Sequence, residues 1–339
     1  MSKINRCLFL DAKHRLTIEE RPIPEPLQGE ALIKIAANGI CGSDVHFYKE
    51  GKLANCIVTT PYIPGHEASG IVAAVGKGVK KLREGDRVIL EPGIPCGNCE
   101  ICKRGLYNLC KEMHFLSQPP VNGTFRDYLT IPENHAFPLP DSLPLRDAAM
   151  AEPLAVAIHS VNRARMQPGA TGLIVGAGPI GLLTLQSFKA AGGGRAICVD
   201  IIEERLNLAK QLGADETYAP GNPALNDIAD VVFETAGSEQ ATATLFDMAR
   251  QSASIVQVGC PKGNYVTLDI ATMMDKEISY VGIFRYANVF PAAIAWLSDG
   301  RIKTDKLITH VYPFDQAVQA FNQAAENPRE TIKVIVENS

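Results

Sequence analysis

Residues 172–181 read Gly-Leu-Ile-Val-Gly-Ala-Gly-Pro-Ile-Gly, a short apolar run followed by a G-x-G-x-x-G loop. The run 172–175 predicts a buried strand, and the loop opens a predicted helix at 179–191. A second strand is predicted at 195–199, and Asp200 ends it. A strand, a glycine-rich turn, a helix and an acidic residue about 20 positions further on form the dinucleotide-binding fingerprint.

Each glycine of the fingerprint has a physical role. Gly176 permits the tight turn, and Gly178 lets the backbone approach a pyrophosphate. Gly181 lets the helix pack closely on the strand, and the free N–H groups at the helix N-terminus favour the anion. A plain strand–helix turn with convenient glycines is the alternative, but it does not account for Asp200.

The acidic residue also predicts which dinucleotide binds. Asp200 can accept hydrogen bonds from both hydroxyls of the adenosine ribose and would repel a 2′-phosphate, so we predict NAD rather than NADP. Arg205 lies either beside the adenine or on a solvated helix face. The predicted cofactor contacts are Gly176, Gly178, Pro179, Ile180, Gly181, Asp200, Arg205, Val258, Gly259 and Ile283.

The hydrophobic pattern changes along the chain. Before Glu152 the sequence is rich in turns and has short β-like runs at 31–35, 69–75 and 86–90, which is typical of an irregular β-rich domain. After Glu152 strands and helices alternate, which predicts an α/β domain with a doubly wound parallel sheet. Further strands are predicted at 230–233, 254–258 and 278–283, and further helices at 203–212 and 239–250. The remaining predicted elements are helices at 290–297 and 314–325 and β-runs at 306–313 and 331–336, the last returning to the first domain.

The composition is that of an ordinary globular chain. It has 339 residues, of which 46% are hydrophobic and 21% are charged, and this length predicts two domains. The net charge of −4 provides no broad positive field for nucleic acid. The uncharged stretch 166–188 is long enough to span a membrane, but it has five glycines and two prolines and includes the fingerprint. The apolar run 7–10 is too short for a signal peptide, so we predict a soluble, cytoplasmic protein.

Four of the nine cysteines fall within fifteen residues. They are spaced C-x2-C-x2-C-x7-C and are Cys96, Cys99, Cys102 and Cys110. Short C-x2-C loops place two thiolates about one tetrahedral edge apart, and four thiolates close a zinc shell without an open position. We therefore predict a structural zinc site that holds together residues 93–111, called here the four-cysteine lobe. An iron–sulfur cluster uses similar spacings and is the main alternative.

A second set of possible metal ligands is spread over more than 100 positions. Cys41 lies in Gly-Ile-Cys-Gly-Ser-Asp-Val-His, His66 and Glu67 follow Pro-Gly, and Glu152 lies in Ala-Glu-Pro. One thiolate, one imidazole and one or two carboxylates form a mixed shell, which in catalytic zinc sites leaves one position open. Spacing does not link these residues, because they are so far apart in sequence, and taken singly Cys41 and His66 are more often core residues than metal ligands.

The chain resembles the zinc-dependent medium-chain dehydrogenases, and within them the sorbitol (polyol) dehydrogenase branch. The resemblance covers nearly the whole chain and rests on segments 39–46, 65–70, 85–88, 91–93, 151–154 and 176–181. Segments 282–286 (Gly-Ile-Phe-Arg-Tyr) and 307–310 (Leu-Ile-Thr-His) point to the polyol branch.

The resemblance implies a GroES-like catalytic domain, residues 1–154 and 284–339, and a Rossmann NAD-binding domain, residues 155–283. It implies that Cys41, His66 and Glu67 hold a catalytic zinc, with Glu152 beside the zinc-bound water or exchanging with Glu67. Asp44 would orient His66 from outside the shell.

The implied reaction oxidises a secondary hydroxyl of a sugar alcohol to a ketose, with hydride transfer to NAD. By analogy with zinc-bound water, whose pKa falls from about 16 to about 7, zinc would ease deprotonation of the hydroxyl. The proton would leave through Ser43 and then His46, or through a water and Glu152.

The resemblance also implies which residues contact the substrate. Arg285 and Tyr286 would reach its hydroxyls. Phe47 stands where relatives often carry Tyr, and Gln118 stands where several carry a smaller polar residue. Both positions, together with Phe115, are predicted to face the polyol, so these departures leave the particular sugar alcohol open.

Two further classes of function compete with this hypothesis. The first is an enzyme that carries out the same chemistry on a different substrate: a polyol phosphate, a sugar acid, threonine or a simple alcohol. This class remains open because Arg285 can pair with a carboxylate or phosphate. The other is a non-catalytic protein. A cofactor-binding protein of this kind predicts loss of the zinc ligands or of the glycine-rich loop, and neither is lost, whereas a zinc-storage or redox-sensing protein leaves Asp200 and Glu152 unexplained. We expect a homodimer or homotetramer, with an edge strand near 278–283 pairing across subunits.

Overall fold

The structure is a computed structural model that describes residues 4–261, 263 and 265–338. It divides into two compact units. The first comprises Met1–Glu152, Phe290–Ser298 and Thr304–Ser339, and the second comprises Pro153–Val289 and Asp299–Lys303. Residues 1–3 and 339 of the predicted catalytic domain lie outside the described residues.

The first part of the chain forms short strands and four helices. They are β1 (Ile4–Leu10), β2 (Leu16–Pro22), β3 (Glu30–Gly39), α1 (Gly42–Glu50), β4 (Lys52–Leu53), β5 (Cys56–Ile57), β6 (Glu67–Val75), β7 (Arg87–Leu90), β8 (Gly93–Ile94), α2 (Glu100–Lys103), β9 (His114–Phe115), β10 (Tyr128–Pro132), β11 (Ala136–Pro138), α3 (Leu145–Ala148) and α4 (Ala151–Ala164).

In the rest of the chain most strands alternate with helices, although two short helices follow one another directly at 239–248. They are β12 (Gly172–Val175), α5 (Pro179–Ala190), β13 (Ala196–Val199), α6 (Glu203–Gln211), β14 (Glu216–Tyr218), β15 (Ala229–Glu234), α7 (Glu239–Ala243), α8 (Leu245–Met248), β16 (Ala249–Gln257), α9 (Ile270–Asp275), β17 (Ser279–Gly282), α10 (Phe290–Ser298), β18 (Ile308–Pro313), α11 (Ala317–Glu326) and β19 (Lys333–Glu337).

The sheet of the first unit has the order β11-β7-β6-β3-β19-β18, with β10 also paired to β3. Gly39 at the end of β3 pairs with Ile335 of β19 on one side and with Glu67 of β6 on the other. The predicted return of the last strand to the first domain is therefore confirmed. Because both neighbours meet at Gly39, residues distant in sequence converge at this end of the sheet.

The second unit contains a six-stranded parallel sheet in the order β14-β13-β12-β15-β16-β17. Strands β12 and β13 are buried along their whole length, as parallel strands covered on both faces are. The strand order reverses between β12 and β15, so the crevice for a ligand lies at the carboxyl ends of these two strands. The predicted fold class, a β-rich domain plus a doubly wound α/β domain, is confirmed.

The helix predicted at 239–250 is wrong in extent. The structure has two short helices there, and β16 begins at Ala249, five residues before the predicted strand. Ala249 pairs with Ala229 of β15, and Ala249 and Ala253 are buried. Pairing with a neighbouring strand thus overrides the local helical pattern, as tertiary context commonly does.

Several elements of the structure were not predicted from the pattern, among them α1, α4 and the antiparallel hairpin of β1 and β2. Helix α1 mixes glycine, polar and aromatic residues without a clear period, so no amphipathic signal marks it. Among the described residues, no helix combines the length and the apolar composition that crossing a bilayer requires.

Candidate active site and metal centres

The first unit brings together three of the predicted catalytic metal ligands. Cys41 is the N-cap of α1, Glu67 is the first residue of β6, and His66 immediately precedes it. The ligand atoms of Cys41, His66 and Glu67 all lie within 4.8 Å of one another. A Cβ at position 39 would lie 2.0 Å from Oε2 of Glu67, so only glycine leaves room for this carboxylate.

Asp44 organises the backbone around these ligands. Its side chain is fully buried and accepts hydrogen bonds from the Ser117 hydroxyl (2.8 Å) and from the backbone N–H groups of Gly65 and Cys41 (both 3.2 Å). Its Oδ1 lies 3.7 Å from Nδ1 of His66, which is longer than a hydrogen bond. Asp44 therefore fixes the chain on both sides of the site and places a negative charge beside His66.

The electrostatics of the site fit a divalent cation. Burial lowers the pKa of His66, but the nearby Asp44, Cys41 and Glu152 outweigh burial and raise that pKa well above its ordinary value. Nδ1 of His66 is buried and has no hydrogen-bond partner among the described residues. The negative charge that stabilises a proton here equally stabilises zinc, and thiolate, imidazole and carboxylate are its usual ligands.

Lys333 is part of this site, although sequence reasoning missed it. Its Nζ lies 2.8 Å from both carboxylate oxygens of Glu67 and donates to the carbonyl of Ile40 at 3.1 Å. Lys333 and Glu67 are only 3% and 1% exposed. Burial lowers the pKa of Lys333, but Glu67 and Cys41 raise it, so the ammonium stays charged. The available signal was a single cation inside the apolar β-run 331–336, because a buried charge needs a partner.

Glu152 lies outside the group of three but acts on it electrostatically. It is the second residue of α4 and is buried. Its charge contributes to the raised pKa values of both His66 and Lys333. Its role beside the metal stays a prediction.

The two residues predicted to carry the proton lie on α1. Ser43 is half-buried, whereas the side chain of His46 is 53% exposed, with Nδ1 3.9 Å from Oε1 of Glu50. This places His46 in contact with solvent, as an exit for a proton requires. The relay itself stays a prediction.

The predicted substrate contacts of the first unit lie in different surroundings. Phe115 is buried with its ring centroid 5.7 Å from that of His66. Phe47 is buried edge-on against Tyr62, at 6.2 Å between ring centroids. Gln118 is exposed. Of these three, Phe115 is packed directly against a metal ligand.

The other two predicted substrate contacts belong to the second unit. The Arg285 guanidinium lies 4.6 Å from the ring centroid of Phe284, and Arg285 has a positive φ of 53°. Tyr286 is 3% exposed. Their contacts with substrate stay predictions.

The four cysteines form a second cluster, with all four sulfurs within 4.8 Å of one another. The Sγ–Sγ distances include 3.4 Å for Cys99–Cys102, 3.6 Å for Cys96–Cys110 and 3.9 Å for Cys96–Cys102. A tetrahedron with zinc–sulfur bonds of about 2.3 Å has edges of about 3.8 Å, so the spacing fits one zinc ion. A four-iron cluster bonds each thiolate to a different iron and needs wider spacing. Backbone N–H groups of Asn98 and Cys99 lower the pKa of Cys96 to about 7, which favours its thiolate.

The second unit holds the glycine-rich loop beside a cavity of about 870 Å³. Gly178 caps α5, and a Cβ on Gly181 would lie 1.8 Å from the carbonyl oxygen of Gly176. Asp200 accepts hydrogen bonds from the N–H groups of Ala177 (2.6 Å) and Ile202 (2.9 Å). Its carboxylate thus anchors the loop, and each oxygen retains a lone pair for a ribose hydroxyl.

Several predicted cofactor contacts line this cavity and others do not. The lining includes Gly176, Gly178, Pro179, Asp200 and Arg205. Ile180 is half-buried on α5. Val258, Gly259 and Ile283 follow β16 and β17 and are not among the lining residues.

Two family profiles match the chain. The family described as alcohol dehydrogenase GroES-like domain matches residues 27–141, and the family described as zinc-binding dehydrogenase matches residues 179–299. Among curated proteins, sorbitol dehydrogenase of Bacillus subtilis (strain 168) is 40% identical over 330 residues, covering 95% of this chain and 94% of the relative. D-xylulose reductase A of Aspergillus niger is 38% identical over 334 residues, covering 94% and 93%.

Solved structures show the same fold. L-idonate 5-dehydrogenase from Escherichia coli K-12 has a TM-score of 0.93 and 32% identity, with 98% of each chain covered. A short chain alcohol dehydrogenase from E. coli CFT073, complexed with cofactor NADH, has a TM-score of 0.91 and 30% identity, covering 99% of this chain and 100% of that one.

The two folds, the mixed Cys–His–Glu site and the four-cysteine site together define a zinc-dependent oxidoreductase. The full-length matches show that the chain belongs to the zinc-dependent medium-chain dehydrogenases. The predicted family, enzyme class and two zinc sites are thereby confirmed.

Proposed function

We propose that this enzyme oxidises a secondary hydroxyl of a sugar alcohol such as sorbitol or xylitol to a ketose, with transfer of hydride to NAD. One observation carries the proposal. The Cys41, His66 and Glu67 ligand atoms converge within 4.8 Å in a chain that is 40% identical, over 95% of its length, to a sorbitol dehydrogenase.

In the first unit, some residues would bind the catalytic zinc and others hold those ligands in position. Cys41, His66 and Glu67 would hold a zinc ion, which would supply Lewis-acid chemistry that lowers the pKa of the substrate hydroxyl. Lys333 holds Glu67 by both oxygens and offsets the negative charge of the ligand set. Asp44 fixes the backbone at Cys41 and Gly65.

The proton released from the substrate hydroxyl must reach solvent. Ser43 Oγ accepts it and passes it to His46, whose imidazole is exposed one turn further along α1. Glu152 provides the alternative acceptor, since its charge already acts on His66. Glu152→Gln and His46→Gln distinguish the routes, because only the variant on the operating route should slow turnover.

The cofactor is NAD, held by the loop of residues 176–181 and selected by Asp200. Asp200 lies at the cavity with its carboxylate fixed by two backbone N–H groups. A carboxylate in this position repels the 2′-phosphate of NADP. We expect Asp200→Ala to weaken NAD binding about tenfold and to reduce discrimination against NADP, measured by fluorescence titration with both cofactors. An unchanged preference would contradict the assignment of Asp200.

A sugar acid is the second candidate substrate. The fold is shared with an L-idonate 5-dehydrogenase at a TM-score of 0.93. The half-buried guanidinium of Arg285 offers a partner for a carboxylate. The polyol remains the first candidate because the sorbitol dehydrogenase relative has the higher identity.

A substrate panel with metal analysis tests the function. We expect about two zinc ions per chain, one for each cluster, and NAD reduction with sorbitol, xylitol or a similar polyol. The panel also contains L-idonate, a polyol phosphate, threonine and 2-propanol. Activity confined to L-idonate would replace the polyol by the sugar acid, and absence of activity on every alcohol would refute the proposed function.

We also propose domain roles, an oligomer and a location. Residues 1–154 and 284–339 act as the catalytic domain, and 155–283 as the cofactor domain.

The edge strand β17 and the exposed Ile270, Met274 and Phe284 around it support a homodimer or homotetramer. Light scattering tests this, and a monomer would refute it. None of the nine cysteines forms a disulfide bond, which supports a reducing cytoplasmic location.

A further inference from the structure

A hydrogen bond links the four-cysteine lobe to a buried carboxyl group beside the strand that neighbours the catalytic ligands. Tyr107 lies in the 3-10 turn Tyr107–Leu109, between the third and fourth cysteines. Its hydroxyl donates to Oε1 of Glu91 at 2.7 Å. Glu91 is 4% exposed and follows β7, the strand that pairs with β6. The lobe therefore contacts a carboxyl group at the end of the strand next to the one that begins with Glu67.

Glu91 is also electrostatically close to the catalytic site. Burial raises the pKa of Glu91 to about 7; the Tyr107 hydroxyl opposes this, and the charge of Glu152 adds to it. Its backbone N–H donates to the carbonyl of His135 at 2.8 Å, so the main chain is fixed as well. A change in the position of the Glu91 side chain therefore changes the electrostatic surroundings of Glu152.

A second connection leads from the other end of the lobe. Gly93 of β8 pairs with Phe115 of β9, and the Phe115 ring packs against His66. Two residues later, the Ser117 hydroxyl donates to Asp44 and accepts from the backbone N–H of Gly65. The segment that leaves the last cysteine thus supports the backbone immediately before His66.

The position of Tyr107 depends on the metal in the lobe. Four thiolates held within 4.8 Å repel one another unless a cation binds them, so the fold of such a loop is coupled to metal binding. The N–H of Cys110 donates to the carbonyl of Tyr107 at 3.0 Å, which joins Tyr107 directly to the fourth ligand.

We propose that Tyr107 and Glu91 are positioning residues through which the zinc-filled four-cysteine lobe sets the geometry of the catalytic zinc site. This inference rests on the proposed catalytic zinc at Cys41, His66 and Glu67. It gives the lobe a function beyond the stability of its own loop.

Cobalt spectroscopy tests the inference without any substrate. The enzyme is prepared with zinc in the lobe and Co²⁺ in the Cys41–His66–Glu67 site, and the visible absorption bands and the rate of Co²⁺ transfer to a chelator are recorded. We expect Tyr107→Phe to shift the bands and to speed Co²⁺ release about tenfold, the lower end of the effect of losing an outer-shell partner.

Matched variants separate positioning from general stability. Tyr218 donates to Glu216 at 2.6 Å in the second unit, so Tyr218→Phe removes a similar Tyr–Glu hydrogen bond and should change neither readout. Glu91→Gln keeps an acceptor for Tyr107 and should preserve the spectrum, whereas Glu91→Leu should reproduce the effect of Tyr107→Phe. Glu91→Leu also serves if Tyr107→Phe does not fold.

Two results would overturn the inference. In the first, Tyr107→Phe has the same spectrum and the same Co²⁺ release rate as the unmodified enzyme. In the second, Tyr218→Phe changes the spectrum and the release rate as much as Tyr107→Phe does. If the unmodified enzyme oxidises no polyol while the cobalt results follow expectation, the proposed function fails and the positioning role stands.

Discussion

The two metal centres of the first unit are built in opposite ways. The four-cysteine site takes all its ligands from one stretch of fifteen residues, and three of the four cysteines are half-buried. The catalytic site takes Cys41 from the start of a helix and His66 and Glu67 from the start of a strand, and a lysine 266 residues away pairs with Glu67. The first site is local and mostly half-buried, and the second is assembled by the sheet and mostly buried.

The two sites have different physical requirements. The four-cysteine site requires only that its ligands be close together, and short C-x2-C loops achieve this, because chain geometry alone brings the thiolates to a tetrahedral edge. The second site must also neutralise buried negative charge, because an unpaired charge in the core is very costly. Lys333 meets that requirement when no metal is bound, and zinc adds further positive charge when it binds. Loss of a ligand should therefore have different consequences at the two sites.

The largest expected effect is loss of the thiolate at the buried site. Cys41→Ala should remove one equivalent of zinc and lower kcat/KM by more than the roughly 10–100-fold that loss of an outer-shell partner costs. The four-cysteine zinc should remain. Metal analysis and NAD reduction measure both, with Cys260→Ala, an exposed cysteine outside both clusters, as the control. Retention of both zinc equivalents in Cys41→Ala would contradict the assignment of this ligand.

The next effect concerns the buried countercharge. Lys333→Met should destabilise the protein by about 3–5 kcal/mol, because it leaves the Glu67 carboxylate buried without its partner. Since the raised pKa of Lys333 keeps it charged, wild-type stability from this pair is lost only as the pH rises above about 10.4. Urea unfolding of the zinc-free protein measures the loss. Lys189→Met, which breaks a half-exposed pair with Asp215, is the control and should cost less than about 1 kcal/mol.

At the four-cysteine site, loss of a ligand should mainly lower the stability of the protein. Cys99→Ser should release one equivalent of zinc and lower the thermal midpoint by at least about 5 °C, because metal binding contributes to folding of the lobe. Calorimetry with metal analysis measures this, and Cys56→Ser, a half-buried cysteine outside both clusters, is the control. An unchanged midpoint in Cys99→Ser would show that the lobe is stable without its metal.

The smallest effect lies between the two centres, at Glu91. Its pKa of about 7 in the folded protein exceeds its ordinary value of 4.5, so wild-type stability falls as the pH rises from about 4.5 to about 7. Glu91→Gln cannot ionise at this position. At pH 8 it should therefore be more stable than the wild-type protein, by a few kcal/mol at most, whereas at pH 4.5 it should not be. Urea midpoints at both pH values measure the difference.

Glu133, whose pKa is shifted in the opposite direction, provides the control for this pH effect. Backbone N–H groups of Lys81 and Lys80 lower the pKa of Glu133, so its stabilising contribution is present above its unfolded pKa and lost as the pH falls. Glu133→Gln should therefore be the less stable variant at pH 8. If Glu91→Gln and Glu133→Gln respond to pH in the same direction, burial of Glu91 does not control its ionisation.

The same contrast explains which parts of the fold the sequence pattern predicted. Strand β12 matches its predicted bounds, because a buried strand leaves a continuous apolar run with clear turn signals. The helix predicted at 239–250 fails because residues from Ala249 onward pair with β15, and that pairing partner is not visible locally. Helix α1 was missed because its sequence has no apolar period, although it carries Cys41 as its N-cap and Ser43 and His46 within it.

The sequence by itself determined the glycine-rich loop, the four-cysteine zinc site and the family to which they belong. In the loop and in the cysteine site, the functional groups lie within a short stretch of chain, so spacing fixes their geometry, and the family follows from such short motifs along nearly the whole chain. Only the tertiary structure decided that Lys333 holds Glu67, that Tyr107 holds Glu91, and that Asp200 anchors the loop it follows. These contacts depend on strand register and burial, because a charge or hydroxyl acquires its partner only when distant segments pack together.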